Sequence, residues 1–130
     1  MKYLLDVNAL VALGFANHEF HGRVASWVRA EPSPTLMTCA ITELGFIRVL
    51  VQAPSYGFTV TQARALLARL RAAPLFAFLA DDHDASHLPS WVKAPKQLTD
   101  GHLLKLATAN GGMLATLDGR IPGAFLIPPR

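Results

Sequence analysis

The sequence predicts an α/β fold: a three-layer sandwich with a central, mostly parallel sheet of about five strands and helices on both faces. Two observations carry this. Short apolar runs of strand length alternate with longer stretches of helical period. Proline and glycine fall between these segments, as at Pro32 and Pro34, Pro54 and Gly57, Pro74, and Gly111-Gly112. In sheets of this kind, functional groups gather just beyond the carboxyl ends of the strands.

The elements follow in order. Lys2 to Asp6 is a short apolar run ending in an acid, a buried strand leading directly into a helix from Ala9 to about Ala16. His18 to Ala30 has helical spacing, with Phe20, Val24, Trp27 and Val28 on one face. Thr35 to Cys39 is a second strand. Ala40 to Gln52 is apolar almost all round, as a helix buried on most sides would be. The next helix starts near Thr59 or Thr61, either of which can cap it, and carries Ala63, Leu66, Leu67 and Leu70 on one face. Leu75 to Leu79 is a third strand. Asp81 to Lys96 reads as loop with at most one helical turn. Thr99 to Asn110 is a helix capped by Thr99 or Asp100 and stopped by Gly111-Gly112. Met113 to Leu117 and Ala124 to Ile127 are the last two strands.

The 130 residues are expected to form one domain, 1–130, with a core of its own. The chain is 52% hydrophobic and only 16% charged, which excludes a disordered segment. Its longest apolar runs, Ala9–Ala16 and Ala72–Ala80, fall short of the roughly 18 residues that span a bilayer. Asp6 interrupts the opening apolar stretch, so no signal peptide is expected and a cytoplasmic location is. The single cysteine, Cys39, has no disulfide partner and reads as a small buried residue. A net charge of +3 is compatible with a polyanionic partner without requiring one.

Acids are scarce, nine in all, and four of them sit at the ends of predicted core elements: Asp6, Glu43, Asp100 and Asp118. A carboxylate in an apolar setting is costly unless paired, protonated or bound to a metal. Singly, three have simple explanations. Asp6 or Asn8 would cap a helix, Asp100 would favour a helix start, and Asp118 would stand in a turn. Glu43 is different, because it shares a face with Ile47 and Leu50 and only Arg48 is charged nearby. It reads as a carboxylate held inward for a metal or a metal-bound water, or else as the partner of Arg48 or a group facing a solvent gap.

Four sequence blocks carry a family resemblance. Leu4-Leu5-Asp6-Val7-Asn8-Ala9-Leu10 resembles the opening of PIN-domain proteins, especially the VapC-type toxins of toxin–antitoxin pairs. Thr42-Glu43-Leu44-Gly45-Phe46 resembles their central acidic helix, Leu98-Thr99-Asp100-Gly101-His102 their third motif, and Ala115-Thr116-Leu117-Asp118 their fourth. The blocks stand in family order and span nearly the whole chain. The resemblance implies a PIN-like fold and a metal-dependent endoribonuclease. It implies an acidic pocket of Asp6, Glu43, Asp100 and Asp118, both catalytic and metal-binding, with Asn8, Thr99 and Thr116 in support. It also implies Mg²⁺ as cofactor, with Mn²⁺ as the alternative ion, an RNA substrate, a cognate antitoxin and a homodimer, but no membrane. The apolar helices around residues 9–30 and 40–70 are candidates for the contact surfaces.

Lys93, Lys96 and Lys105, near Asp100 in sequence, are the candidates for substrate contacts, while Arg64, Arg69 and Arg71 read as a solvated helix face. His18-Glu19-Phe20-His21 is one residue short of the His-Glu-x-x-His zinc motif, and Asp81-Asp82-His83-Asp84 lacks the glycine and distal glutamate of a calcium loop. Two rivals follow from the same acids. One is an acidic-pocket phosphatase or phosphotransfer domain, against which Asn8 stands where a second acid would be needed. The other is a PIN-like RNA-binding protein without catalysis. If four carboxylates crowd one pocket, replacing Glu43 by glutamine should stabilise the metal-free chain.

Overall fold

A computed structural model describes all residues from Met1 to Arg130. Its strands are β1 (Lys2–Leu5), β2 (Thr35–Cys39), β3 (Phe76–Leu79), β4 (Met113–Thr116) and β5 (Phe125–Leu126). Its helices are α1 (Val7–Gly14), α2 (His21–Ala30), α3 (Ala40–Gln52), α4 (Val60–Arg71) and α5 (Leu98–Ala109). The five strands form one sheet in the order β3-β2-β1-β4-β5, and every pairing is parallel.

This order explains the layers. The chain steps outward from β1 to β2 and β3, then returns to lay β4 on the other edge of β1. Parallel crossovers are right-handed, so reversing the direction of travel moves the connecting helix to the opposite face. One face therefore carries α1 to α4, packed over Tyr3, Leu5, Leu36 and Ala115. The other carries α5, whose Leu103, Leu106 and Ala107 meet Leu4, Met37, Cys39 and Leu114. The alternation of Tyr3, Leu4 and Leu5 between the two clusters is the two-residue period of a strand covered on both sides. Cys39 is fully buried, as read from the sequence. No helix is long and apolar enough to cross a membrane.

Three helix starts differ from the sequence reading, and the strands β3, β4 and β5 are each a residue or two shorter than read. α1 starts at Val7 rather than Ala9, because the Asp6 side chain accepts the Val7 N–H and caps it. α2 starts at His21 rather than His18, because His18 Nδ1 accepts from the Phe20 N–H and closes a turn first. α5 starts at Leu98, and neither Thr99 nor Asp100 caps it. A 3₁₀ turn, Pro95–Gln97, runs straight into that helix, so its first N–H groups need no side-chain acceptor at those positions. The loop from 81 to 96 holds one complete such turn, Ala85–His87, and Pro95–Gln97 begins at its end and runs on into α5.

Candidate active site

Asp6 stands where β1 meets α1, on the side where β4 pairs with β1. This is the switch point of the sheet, where the strand order reverses and a crevice opens beyond the carboxyl ends. The Asp6 N–H donates to the Ala115 carbonyl at 2.9 Å, tying the residue to β4. Its Oδ1 accepts from the Val7 N–H at 2.8 Å, and its Oδ2 from the Thr116 hydroxyl at 2.8 Å. The residue is only 8% exposed. Burial pushes the Asp6 carboxyl above the ordinary range, the bonds from Thr116 and Val7 oppose the rise, and the charge of Asp118 adds to it.

Thr116, at the end of β4, is fully buried. Its hydroxyl donates to Asp6 and accepts from Asn8 Nδ2 at 3.2 Å and the Asp118 N–H at 3.0 Å. One donor and two lone pairs are thereby all engaged. Asn8 Oδ1 in turn accepts the Leu117 N–H at 3.1 Å. Asn8 and Thr116 thus clamp the end of β4 to the start of α1 and hold Asp6 and Asp118 in register.

Asp118 lies in the turn after β4 and is bridged on both oxygens by Arg120, from Nε at 2.9 Å and from a terminal guanidinium nitrogen at 3.1 Å. Arg120 also donates its backbone N–H to Oδ1, and these bonds hold the Asp118 carboxyl below the usual carboxylate range. Asp100, in the first turn of α5, makes no hydrogen bond. Partial burial raises its carboxyl, and the charges of Asp6 and Asp118 raise it further, with Arg120 opposing. Asp100 and Asp118 line a cleft of about 350 Å³ together with Trp91, Lys96, Gln97 and Arg120.

Glu43 stands apart. Its Oε2 accepts from the Thr38 hydroxyl at 2.7 Å and pairs with Arg71 Nε at 3.2 Å, while Oε1 faces another Arg71 nitrogen at 3.3 Å. Its partner is thus Arg71 from α4, not Arg48, which points into solvent one turn along α3. Arg71 is consequently no part of a plain solvated face.

No three acids, histidines or cysteines are gathered at metal-ligand spacing in this conformation. The donors are nevertheless of the right kind. Asp6, Asp100 and Asp118 offer hard carboxylate oxygens, and two of the three carry raised carboxyls that a nearby cation would relieve.

A family model described as PIN domain matches residues 3–124. The chain belongs to the PIN-domain family. Among its relatives is the protein named ribonuclease VapC38 of Mycobacterium tuberculosis, 41% identical over 123 residues, covering 91% of this chain and 86% of the relative. Ribonuclease VapC44 of the same organism is 38% identical, covering 95% of this chain and 94% of that one. Two solved structures share the fold. One is VapC20 of Mycobacterium tuberculosis, described as a sarcin–ricin-loop-cleaving toxin, with TM-score 0.72 at 17% identity over 98% of this chain and 99% of that one. The other is VapBC2 of Rickettsia felis bound to a fragment of its promoter DNA, with TM-score 0.61 at 14% identity over 97% of each chain.

In this PIN domain the remaining candidates separate. Lys96 lines the acidic cleft. Lys105 lines a different cleft, with His83, Ser86 and His87. Lys93 is exposed, and only its backbone N–H is engaged, by Gln97. Thr99 is exposed on α5 and bonds to none of the acids. Sequence reasoning missed Arg120, Trp91 and Gln97. Arg120 had a signal, a cation two residues after an acid in a turn, the spacing of a local ion pair. Trp91 and Gln97 lie in a segment without periodicity and gave none.

Proposed function

We propose that this PIN-domain chain is a divalent-metal-dependent endoribonuclease and the toxin of a toxin–antitoxin pair. The observation that supports this most is geometric: at the β1–β4 switch point the Thr116 hydroxyl bonds both the Asp6 carboxylate and the Asp118 N–H, holding two of the acids beside the cleft that Asp100 lines. Asp6, Asp100 and Asp118 would hold the ion, Mg²⁺ or Mn²⁺. When bound, such an ion supplies an activated water and charge stabilisation for a phosphodiester. The chain's own residues do the rest. Thr116 and Asn8 fix Asp6. Asp100 lines the cleft with a carboxylate that no other side chain engages, which leaves its oxygens free for the ion. Lys96 and Arg120 bring positive charge to the rim for phosphate. Glu43, engaged by Thr38 and Arg71, serves as a strut joining β2, α3 and α4 rather than as a ligand.

Asn8 stands where a phosphotransfer site would need a second acid, and its amide is spent on Thr116 and the Leu117 N–H, which weighs against the phosphotransfer rival. The VapC names of the relatives support ribonuclease activity, and the VapBC pairing in one structural neighbour supports a cognate antitoxin. Phe20, Leu44 and Val60 are exposed within the helical spans expected to make protein contacts, and fit the antitoxin and homodimer surfaces proposed. The test is cleavage of single-stranded RNA with Mg²⁺ or Mn²⁺. Cleavage should vanish with EDTA and in Asp6→Asn and Asp100→Asn chains that keep their fold. Robust cleavage in EDTA would refute the metal mechanism.

A further inference from the structure

The acidic cleft has a second half whose chemistry is not that of a metal pocket. Trp91 is half-buried. It packs against the Leu103–Leu106–Ile121 cluster while lining the cleft beside Asp100 and Asp118. The side chains of Val92 and Pro89, on either side of it in sequence, pack closely on Gly101. A Cβ on Gly101, the residue after Asp100, would run into Val92 and Pro89, so only glycine lets the 89–92 segment lie on the first turn of α5. Gln97 is fixed as well. Its Oε1 accepts the Lys93 N–H at 2.7 Å and the Ala94 N–H at 3.0 Å. Those two bonds settle which end of the amide is oxygen. The Nε2 group is left with two donors and no protein partner, in the lining of the same cleft. Lys96 flanks it as a cation outside any ion pair, and Arg120, paired with Asp118, keeps one terminal guanidinium nitrogen unengaged.

An anchored aromatic ring, an oriented amide donor and two cations, next to an acid cluster, match the parts of one nucleotide. We propose that this half of the cleft is a nucleotide subsite for unpaired RNA: a base stacks on Trp91, Gln97 Nε2 donates to an acceptor on its edge, and Lys96 and Arg120 meet the adjoining phosphates. The proposal rests on the ribonuclease reading and names the form of RNA that reading leaves open. A base inside a duplex has both faces covered by its neighbours and cannot present one to Trp91, so the subsite selects single strands, loops or splayed bases. Gln97 and Trp91 act on binding and orientation and leave the chemistry to the acids.

The experiment measures binding apart from cleavage. A labelled, short, single-stranded oligoribonucleotide is titrated in EDTA with the full chain, following anisotropy and intrinsic tryptophan fluorescence together. The other tryptophan, Trp27, is 5% exposed in the core, so quenching on binding reports Trp91. Quenching should occur in the wild-type chain and vanish in Trp91→Phe, which keeps an aromatic face and an affinity within about fivefold. Trp91→Leu should weaken binding by roughly 5- to 150-fold, the range for one lost base–aromatic stack. The same sequence as a duplex should bind at least tenfold more weakly, by the stacking argument. Unchanged affinity in Trp91→Leu, no quenching of the wild type, or equal binding of duplex and single strand would each overturn the subsite. Wild-type binding through Trp91 without cleavage in Mg²⁺ or Mn²⁺ would uphold the subsite and sink the nuclease reading. Cleavage with kcat/KM unchanged in Trp91→Leu would do the reverse.

Discussion

Thr116 carries more of the site than any acid. Its hydroxyl fills one donor and two acceptor roles toward Asp6, Asn8 and the Asp118 N–H, in full burial. Thr116→Val keeps the shape and leaves the Asp6 carboxylate short of a donor. We expect a loss of about 1–3 kcal/mol in urea unfolding, the cost of stranding a buried polar group, together with loss of cleavage. Glu43 shows where a residue-level reading of sequence fails. Its inward face was legible from Ile47 and Leu50, but its partner comes from α4, 28 positions away, and helical spacing cannot see that far. The structure reverses the expected sign of Glu43→Gln. The substitution weakens a bidentate pair to Arg71 and lowers stability, by under about 1 kcal/mol because Arg71 is 43% exposed. A rise in the melting temperature without metal would show that repulsion among four acids dominates after all. Asp100 has the opposite sign. Its folded carboxyl is raised, so its contribution to stability is present in acid and is lost as pH rises through the folded value. Asp100→Asn should therefore raise the metal-free melting temperature near neutral pH by about 1–2 °C, a small shift because solvent screens the group, and the gain should fade toward pH 4.

Among the elements, β1 was the most legible. Tyr3-Leu4-Leu5 followed by an acid reads as a buried strand leading directly into a helix, and the structure has that strand covered on both faces and α1 starting at Val7. α3 was legible for the same reason, since apolar residues on nearly all sides require burial. α5 was found, but its start was misread. Thr99 and Asp100 look like a cap, whereas Pro95–Gln97 begins the turn earlier and frees Asp100 for the cleft. The segment from 88 to 97 was opaque because its order comes from contacts with α5 and not from periodicity. Gly101 is the hinge of that arrangement. Gly101→Ala should displace the Pro89–Val92 segment at a cost of about 1–3 kcal/mol, as over-packing does. It should raise KM for RNA more than it lowers kcat. A variant with normal KM would mean the segment does not shape the substrate cleft.

For the whole molecule, the parallel α/β class and the order of the acids along the chain were readable, because periodicity and motif spacing are local properties. What sequence could not supply was the strand order, and the strand order decides the site. Placing β4 against β1 brings Thr116 and Asp118 to Asp6, while Glu43, at the β2 side, turns to Arg71. On the proposed function, the four acids of equal standing in sequence divide into three that would share an ion and one, Glu43, that braces the helices through Arg71. The claim that Asp6, Asp100 and Asp118 hold one divalent cation is tested most directly by Mn²⁺ binding, read from the loss of the free-ion electron paramagnetic resonance signal. The wild-type chain should bind Mn²⁺, Asp6→Asn and Asp100→Asn should lose that binding, and Glu43→Gln should keep it. Equal Mn²⁺ binding by Asp6→Asn and the wild type would contradict the account.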